Sequence, residues 1–113
     1  MKILSIAAEP KFYHKPDIQP LGETPFSKEI RICMGKGAFM KEHQAPAPIT
    51  IELFSGKIEL STPKEKHIMC AGEIAVFDAK APHSLFASED SIIRLTLSKS
   101  DSIQRVKNLI LKP

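Results

Sequence analysis

The feature that most constrains this chain is a strict alternation of apolar and polar residues between positions 28 and 98. In the segment EIRICM, Ile30, Ile32 and Met34 alternate with more polar neighbours, and ITIEL, KIEL and IIRLTLS repeat that period of two. This pattern is typical of strands with one buried and one solvent-facing side. Turn-forming residues separate the segments, for example SG at 55–56 and SED at 88–90. We therefore predict an all-β sandwich or barrel built from antiparallel hairpins.

The two ends of the chain follow other patterns. Residues 1–27 carry prolines at positions 10, 16, 20 and 25, which predicts an extended arm, with KILSI (2–6) as a possible edge strand. We expect this arm to lie on the domain or on a neighbouring subunit. In residues 99–113, Ile103, Val106 and Leu109 recur at helical spacing, which predicts a short C-terminal helix over the barrel or a dimer seam. The predicted division is an arm (1–27), a barrel (28–98) and a helix (99–113).

Composition excludes several classes of function. With 113 residues the chain suits one domain. Its net charge of +3 is small, its lysines are scattered along the sequence, and it contains no tryptophan. A nucleic-acid surface needs clustered cations and stacking rings, so none is predicted. No run approaches the ~20 apolar residues of a membrane span. Cys33 and Cys70 are predicted to be reduced thiols, with Cys33 on the polar side of its strand, and we expect a cytoplasmic protein.

Glycines and histidines occur at a recognisable spacing. Gly37 is followed after five residues by His43, Gly56 follows the next strand-like run, and Gly72 precedes His83. In this order and on this β background, they resemble the two motifs of the cupin superfamily, over residues 28–98. The resemblance implies a double-stranded β-helix, that is, a jelly-roll barrel. In cupins that use a metal, three histidines and a glutamate typically hold it.

This chain departs from the metal-binding pattern at key positions. Ala45 stands where the second histidine would be, and Ile49 stands where the glutamate would be. Only His43 and His83 remain as candidate ligands. The remaining departures are Asp78, Lys80 and Ala87, of which Asp78 is predicted to be a turn residue. Two imidazoles plus waters could bind Zn, Ni, Fe or Mn at low occupancy, and a metal-free polar pocket is the alternative.

The predicted pocket is mostly apolar. Its expected inner-wall residues are Met34, His43, Ala45, Ile49, Ile51, His83 and Leu85, with bulk from Phe54, Phe77 and Phe86. An apolar cavity with a pair of imidazoles suits a small organic ligand that carries a carboxylate or a hydroxyl group. The segment HIMC (67–70) is a poor metal site, because residues three apart on a strand point to opposite faces. No residue is assigned a catalytic role.

Three functions follow from this pattern. The leading hypothesis is a small cytoplasmic barrel that binds a small molecule, with a divalent metal held by His43 and His83 as a further expectation. The first alternative is a metal-dependent isomerase or dioxygenase-type cupin enzyme. The second alternative is a structural or regulatory protein without a bound ion. Cupins of this size commonly pair through sheet edges and exchanged N-terminal strands, so the resemblance also implies a homodimer.

Overall fold

The computed structural model describes residues 1–111, which contain nine strands and one helix. The prediction of an all-β fold with a short C-terminal helix is confirmed. Within these residues, no helix is long and apolar enough to cross a membrane. The elements are β1 (Asp17–Glu23), β2 (Ser27–Met34), β3 (Phe39–His43), β4 (Ile49–Ser55), β5 (Lys57–Ser61), β6 (Lys66–Cys70), β7 (Ile74–Phe77), β8 (His83–Ala87), β9 (Ser91–Ser98) and α1 (Ile103–Leu111).

The strands form two antiparallel sheets that share one core. The first sheet has the order β1-β2-β9-β4-β7, and the second has the order β3-β8-β5-β6. The alternating apolar residues of the first sheet, such as Ile30, Leu53 and Ile93, pack against Ile58 and Leu85 of the second. Strands distant in sequence, such as β2 and β9, lie side by side. This arrangement confirms the predicted jelly roll.

The N-terminal arm packs on its own domain and buries the outer side of β2. The guanidinium of Arg31 donates hydrogen bonds from Nη1 to the carbonyl oxygens of Ala8 (2.6 Å) and Ile6 (3.2 Å). The Gly35 amide donates to the carbonyl of Tyr13 at 2.8 Å. As a result Cys33 is fully buried, and its predicted place on a solvent-facing side is wrong. The alternation of apolar and polar residues did not predict this burial, because the N-terminal arm covers the polar face of β2.

The edge strand of the arm lies later in the sequence than expected. Residues 2–6 form no strand, whereas β1 runs through Pro20 and pairs only with β2. Proline is tolerated there because an edge strand has one unpaired side. The register shifts between Pro20 and Gly22, as in a β-bulge. The first sheet thus begins at residue 17, ahead of the predicted barrel boundary, and residues 112–113 of the predicted helix lie outside the described residues.

The two ends of β4 have different connections, and one of them lies beside the histidines. Between His43 and Ile49, strands β3 and β4 are separated by a loop at 44–48 that contains Pro46 and Pro48. On the opposite side of β4, Gly56 turns the chain directly into β5 with a φ of +96°. A Cβ atom at Gly56 would collide with the Asp90 carbonyl oxygen and the Ser91 hydroxyl. The glycine at this motif position therefore has a steric reason.

A buried carboxylate organises the outer side of the first sheet. Glu29 is only 4% exposed, and it accepts hydrogen bonds from Ser27 Oγ (2.5 Å), Thr96 Oγ1 (2.7 Å) and Arg94 Nε (2.9 Å). Burial raises the pKa of Glu29, but these hydrogen bonds and the Arg94 charge outweigh burial and lower it overall. Glu52 is half-buried and completes the group as a second partner of Arg94 at 3.3 Å.

Candidate functional site

The two motif histidines lie beside each other at one end of the barrel. His43 ends β3 and His83 begins β8, and the two residues face each other directly in the pairing of these neighbouring strands. Their ring centroids are 4.3 Å apart, with an angle of 66° between the ring planes. The strands are neighbours in the second sheet and not on opposite walls of the barrel. A bulge in β3 between Met40 and His43 brings the His43 ring into this position.

Hydrogen bonds to the backbone fix the same tautomer in both rings. Nδ1 of His43 lies 2.7 Å from the carbonyl oxygen of Lys41, and Nδ1 of His83 lies 3.0 Å from that of Ala81. Because a carbonyl only accepts, each Nδ1 must carry the hydrogen, which leaves the lone pair on Nε2. Within residues 1–111 neither Nε2 has a hydrogen-bond partner. Both rings therefore present a free acceptor atom.

The surroundings keep both imidazoles uncharged at neutral pH. The pKa of His43 is lowered to about 4, mainly by burial and to a smaller extent by the nearby His83 and Arg105, whereas the Lys41 carbonyl acts in the opposite direction. Burial also lowers the pKa of His83, and Arg105 acts in the same direction. Phe77 stacks on the His83 ring at a centroid distance of 4.6 Å. These neutral rings are hydrogen-bond acceptors and potential bases, not cations.

The rings border a small, largely enclosed cavity between the two sheets. Its volume is about 20 Å³, which is room for about one water molecule. The lining residues are Ile32, Met40, His43, Ala45, Ile49, Ile51, His83, Leu85, Ile93, Leu95, Arg105, Val106 and Leu109. Six of the seven expected inner-wall residues are among them. Met34 is fully buried in the core but does not line this cavity.

Of the three phenylalanines expected to add bulk to the pocket, one is half-buried and two are exposed. Phe77 is half-buried against the core, in contact with His83. Phe54 and Phe86 are 42% and 37% exposed, because each occupies the outward position of its strand. The cavity wall is therefore aliphatic apart from the two imidazoles and one guanidinium.

That guanidinium comes from the C-terminal helix, which closes the cavity. Arg105, Val106 and Leu109 of α1 all line it, and Val106 is fully buried. Arg105 is fixed by two hydrogen bonds of 2.7 Å, from Nε and Nη2 to the two carboxylate oxygens of Asp101. The apolar stripe predicted this helix, but Arg105 was not expected at the site. The spacing D-x-x-x-R, which places both residues on one side at the helix start, is the signal that could have identified it.

The donor atoms at this site do not fit a resident metal cofactor. Structural and catalytic metal centres usually keep three or four protein ligands, whereas only two imidazoles are present here. The positions of the two missing ligands, Ala45 and Ile49, contribute hydrocarbon to the cavity wall. Within residues 1–111, no three His, Cys, Asp or Glu side chains are grouped so that they could hold a metal ion. The guanidinium of Arg105 adds a positive charge at the same cavity.

Other candidates from the sequence lie outside this site. In the HIMC segment, His67 and Cys70 are exposed, and His67 pairs with Glu73 at 3.3 Å. Asp78 is exposed, and its carbonyl accepts a hydrogen bond from the Ala81 amide in a turn, as predicted. His14 is exposed on the arm. Cys33 and Cys70 are both free thiols.

Solved structures with the same arrangement of strands place this fold among known ones. An RmlC-like cupin protein from Desulfovibrio desulfuricans matches with a TM-score of 0.77 at 17% identity, over 87% of this chain and 96% of that chain. The protein has a cupin fold. An RmlC-like cupin from Shewanella frigidimarina matches with a TM-score of 0.72 at 16% identity, over 87% and 91% of the two chains.

A third neighbour of this cupin fold carries a specific name. KdgF from a Halomonas species matches with a TM-score of 0.67 at 23% identity, over 75% of this chain and 82% of that chain. At such identities the likeness shows the fold and not the function. No protein-family model matches the sequence, and no curated protein matches it significantly. The chemistry of the site is therefore the basis for the proposed function.

Proposed function

We propose that this cupin barrel binds a small organic molecule at the cavity between His43 and His83. The observation that carries the proposal is the pair of fixed, neutral imidazoles whose Nε2 atoms have no hydrogen-bond partner within residues 1–111. Two adjacent acceptors suit a ligand with hydroxyl groups, since each hydroxyl can donate one hydrogen bond. The aliphatic wall around them suits the carbon skeleton of such a ligand.

The size of the cavity implies that the C-terminal helix moves when the ligand binds. A volume of about 20 Å³ holds one water molecule, whereas small-molecule sites usually measure roughly 300–1,000 Å³. Helix α1 contributes three lining residues but buries only one residue fully, Val106. Because its packing is limited, an outward shift of α1 is the change that would enlarge the cavity with the least disruption of the sheets.

A thermal-shift screen with hydroxylated and carboxylated molecules of up to about six carbons tests the proposal. We expect at least one compound to raise the melting temperature of the wild-type protein, and we expect His43→Ala and His83→Ala to abolish that rise. His14→Ala, which changes an exposed histidine on the arm, is the matched control and should retain it. A ligand whose effect survives both cavity substitutions would place binding elsewhere and refute the proposal.

Metal analysis of the untagged protein separates the remaining hypotheses. Two imidazoles hold a divalent ion weakly, so we expect less than stoichiometric Zn, Ni, Fe or Mn. Stoichiometric metal that is lost in His43→Ala would favour the isomerase or dioxygenase-type alternative. A protein that binds neither metal nor any compound of the screen would favour the structural or regulatory alternative.

A further inference from the structure

We propose that Arg105 provides the positive charge of this site in place of a metal ion, and that the ligand is a small carboxylate. This inference rests on the proposed function and adds the chemical class of the ligand. It starts from a mismatch: the barrel keeps two histidines of a metal motif, lacks the other two ligands, and receives a guanidinium at the same cavity from α1.

The guanidinium of Arg105 is held in place by Asp101, but not all of its nitrogen atoms donate a hydrogen bond. Nε and Nη2 of Arg105 donate to Asp101, whereas Nη1 has no hydrogen-bond partner within residues 1–111. A planar guanidinium with free donors is well suited to a carboxylate, which accepts hydrogen bonds at both oxygens. The side chain that fixes it is itself fixed, since Asp101 is 3% exposed and also accepts a hydrogen bond from the Ser102 amide.

The local charges favour an anion. Asp101 neutralises one positive charge, but two cations flank it: Arg105, and Lys28, whose Nζ donates to the Asp101 carbonyl oxygen at 2.5 Å. The first turn of α1 contains no acidic residue. Arg105 and Lys28 both contact Asp101, and the three residues together carry a net charge of about +1, which favours a carboxylate at Arg105 over a divalent cation.

The guanidinium and the two imidazoles would then bind different groups of the same ligand. Arg105 would bind the carboxylate, and the Nε2 atoms of His43 and His83 would accept hydrogen bonds from hydroxyl groups. A small hydroxy acid fits this division better than a sugar without charge or a simple fatty acid.

The test is a titration of the wild-type protein with two pairs of compounds that match in shape and differ in charge. The pairs are acetate with acetamide and glycolate with glycolamide, and metals are removed beforehand by dialysis against EDTA and then against EDTA-free buffer. Ring signals of His43 and His83 are followed by long-range ¹H–¹⁵N NMR. We expect each carboxylate to bind about tenfold to a hundredfold more tightly than its amide, the range for a hydrogen bond to a charged group.

Variants on the same helix assign the effect. Arg105→Gln should remove the preference for the carboxylate, while Lys107→Gln should keep it, because Lys107 is a cation of α1 that does not line the cavity. The wild-type comparison of acid and amide stands even if Arg105→Gln folds poorly. Equal binding of acid and amide, or binding that requires a metal, would overturn this inference alone. If no compound perturbs either ring, the proposed binding site fails as well.

Discussion

Acid should destabilise this protein at a pH where most proteins are still stable, because the buried His43 resists protonation. Above pH 6.5 the imidazole is neutral in both the folded and the unfolded state, so it contributes no pH dependence. Between pH 6.5 and 4 the unfolded chain takes up a proton that the folded protein refuses. Stability therefore falls as the pH is lowered through this window.

The size of this loss follows from the pKa of His43. Lowering the pKa from 6.5 to about 4 corresponds to at most about 3 kcal/mol of unfolding free energy. Because the ring is half-buried and solvent screens part of the effect, we expect a loss of about 2 kcal/mol from His43. His83 adds a loss of the same sign, since burial lowers its pKa as well. The loss from His43 should be almost complete near pH 4.

Urea unfolding at pH 7.5, 6.5, 5.5 and 4.5 measures the loss. The wild-type midpoint should fall steadily below pH 6.5, and His43→Gln should flatten the curve, while the control His14→Gln should not. Glu29 and Asp101 have pKa values lowered from their ordinary values of 4.5 and 3.8, so stability is lost through them only as the pH falls to the acid end of this window and below it. Identical pH profiles for wild type and His43→Gln would refute the described burial of the ring.

Three further predictions follow from the packing. Glu29→Ala should lower the unfolding free energy by about 2–4 kcal/mol, because it leaves Arg94 and Thr96 without their buried hydrogen-bond acceptor. Urea unfolding measures this loss, and a value below about 0.5 kcal/mol would show that these hydrogen bonds do not stabilise the fold. In a Cys70→Ser background, Arg31→Ala should loosen the arm and let a thiol reagent reach Cys33 faster, whereas unchanged labelling would show that Arg31 does not hold the arm. Sedimentation should give twice the 12.5 kDa chain mass if the expected homodimer forms, and a monomer mass would refute it.

The sequence predicted the architecture because alternation and turns are local signals. Ile30, Ile32 and Met34 follow a period of two that only a strand satisfies, and the glycine at 56 sits where the chain must turn without a side chain. Each of these depends on a few neighbouring residues in the chain.

The parts that sequence reasoning missed depend on contacts between distant segments. Cys33 has the parity of a solvent-facing residue, and it is buried only because residues 6–13 return across β2. Arg105 reaches the cavity because α1 folds back over the barrel end, which periodicity alone cannot place. The edge strand is formed by residues 17–23 and not by KILSI, because pairing with β2 determines which segment becomes a strand more than local strand propensity does.

The most direct test of the central claim is the protonation state and ligand response of the two imidazoles. Long-range ¹H–¹⁵N NMR at pH 7 should show both rings neutral with the hydrogen on Nδ1, and the Nε2 signal of at least one ring should shift when glycolate, which has one hydroxyl group, is added. Rings that carry the hydrogen on Nε2, or that titrate near pH 6.5 and ignore glycolate, would contradict the account of this site.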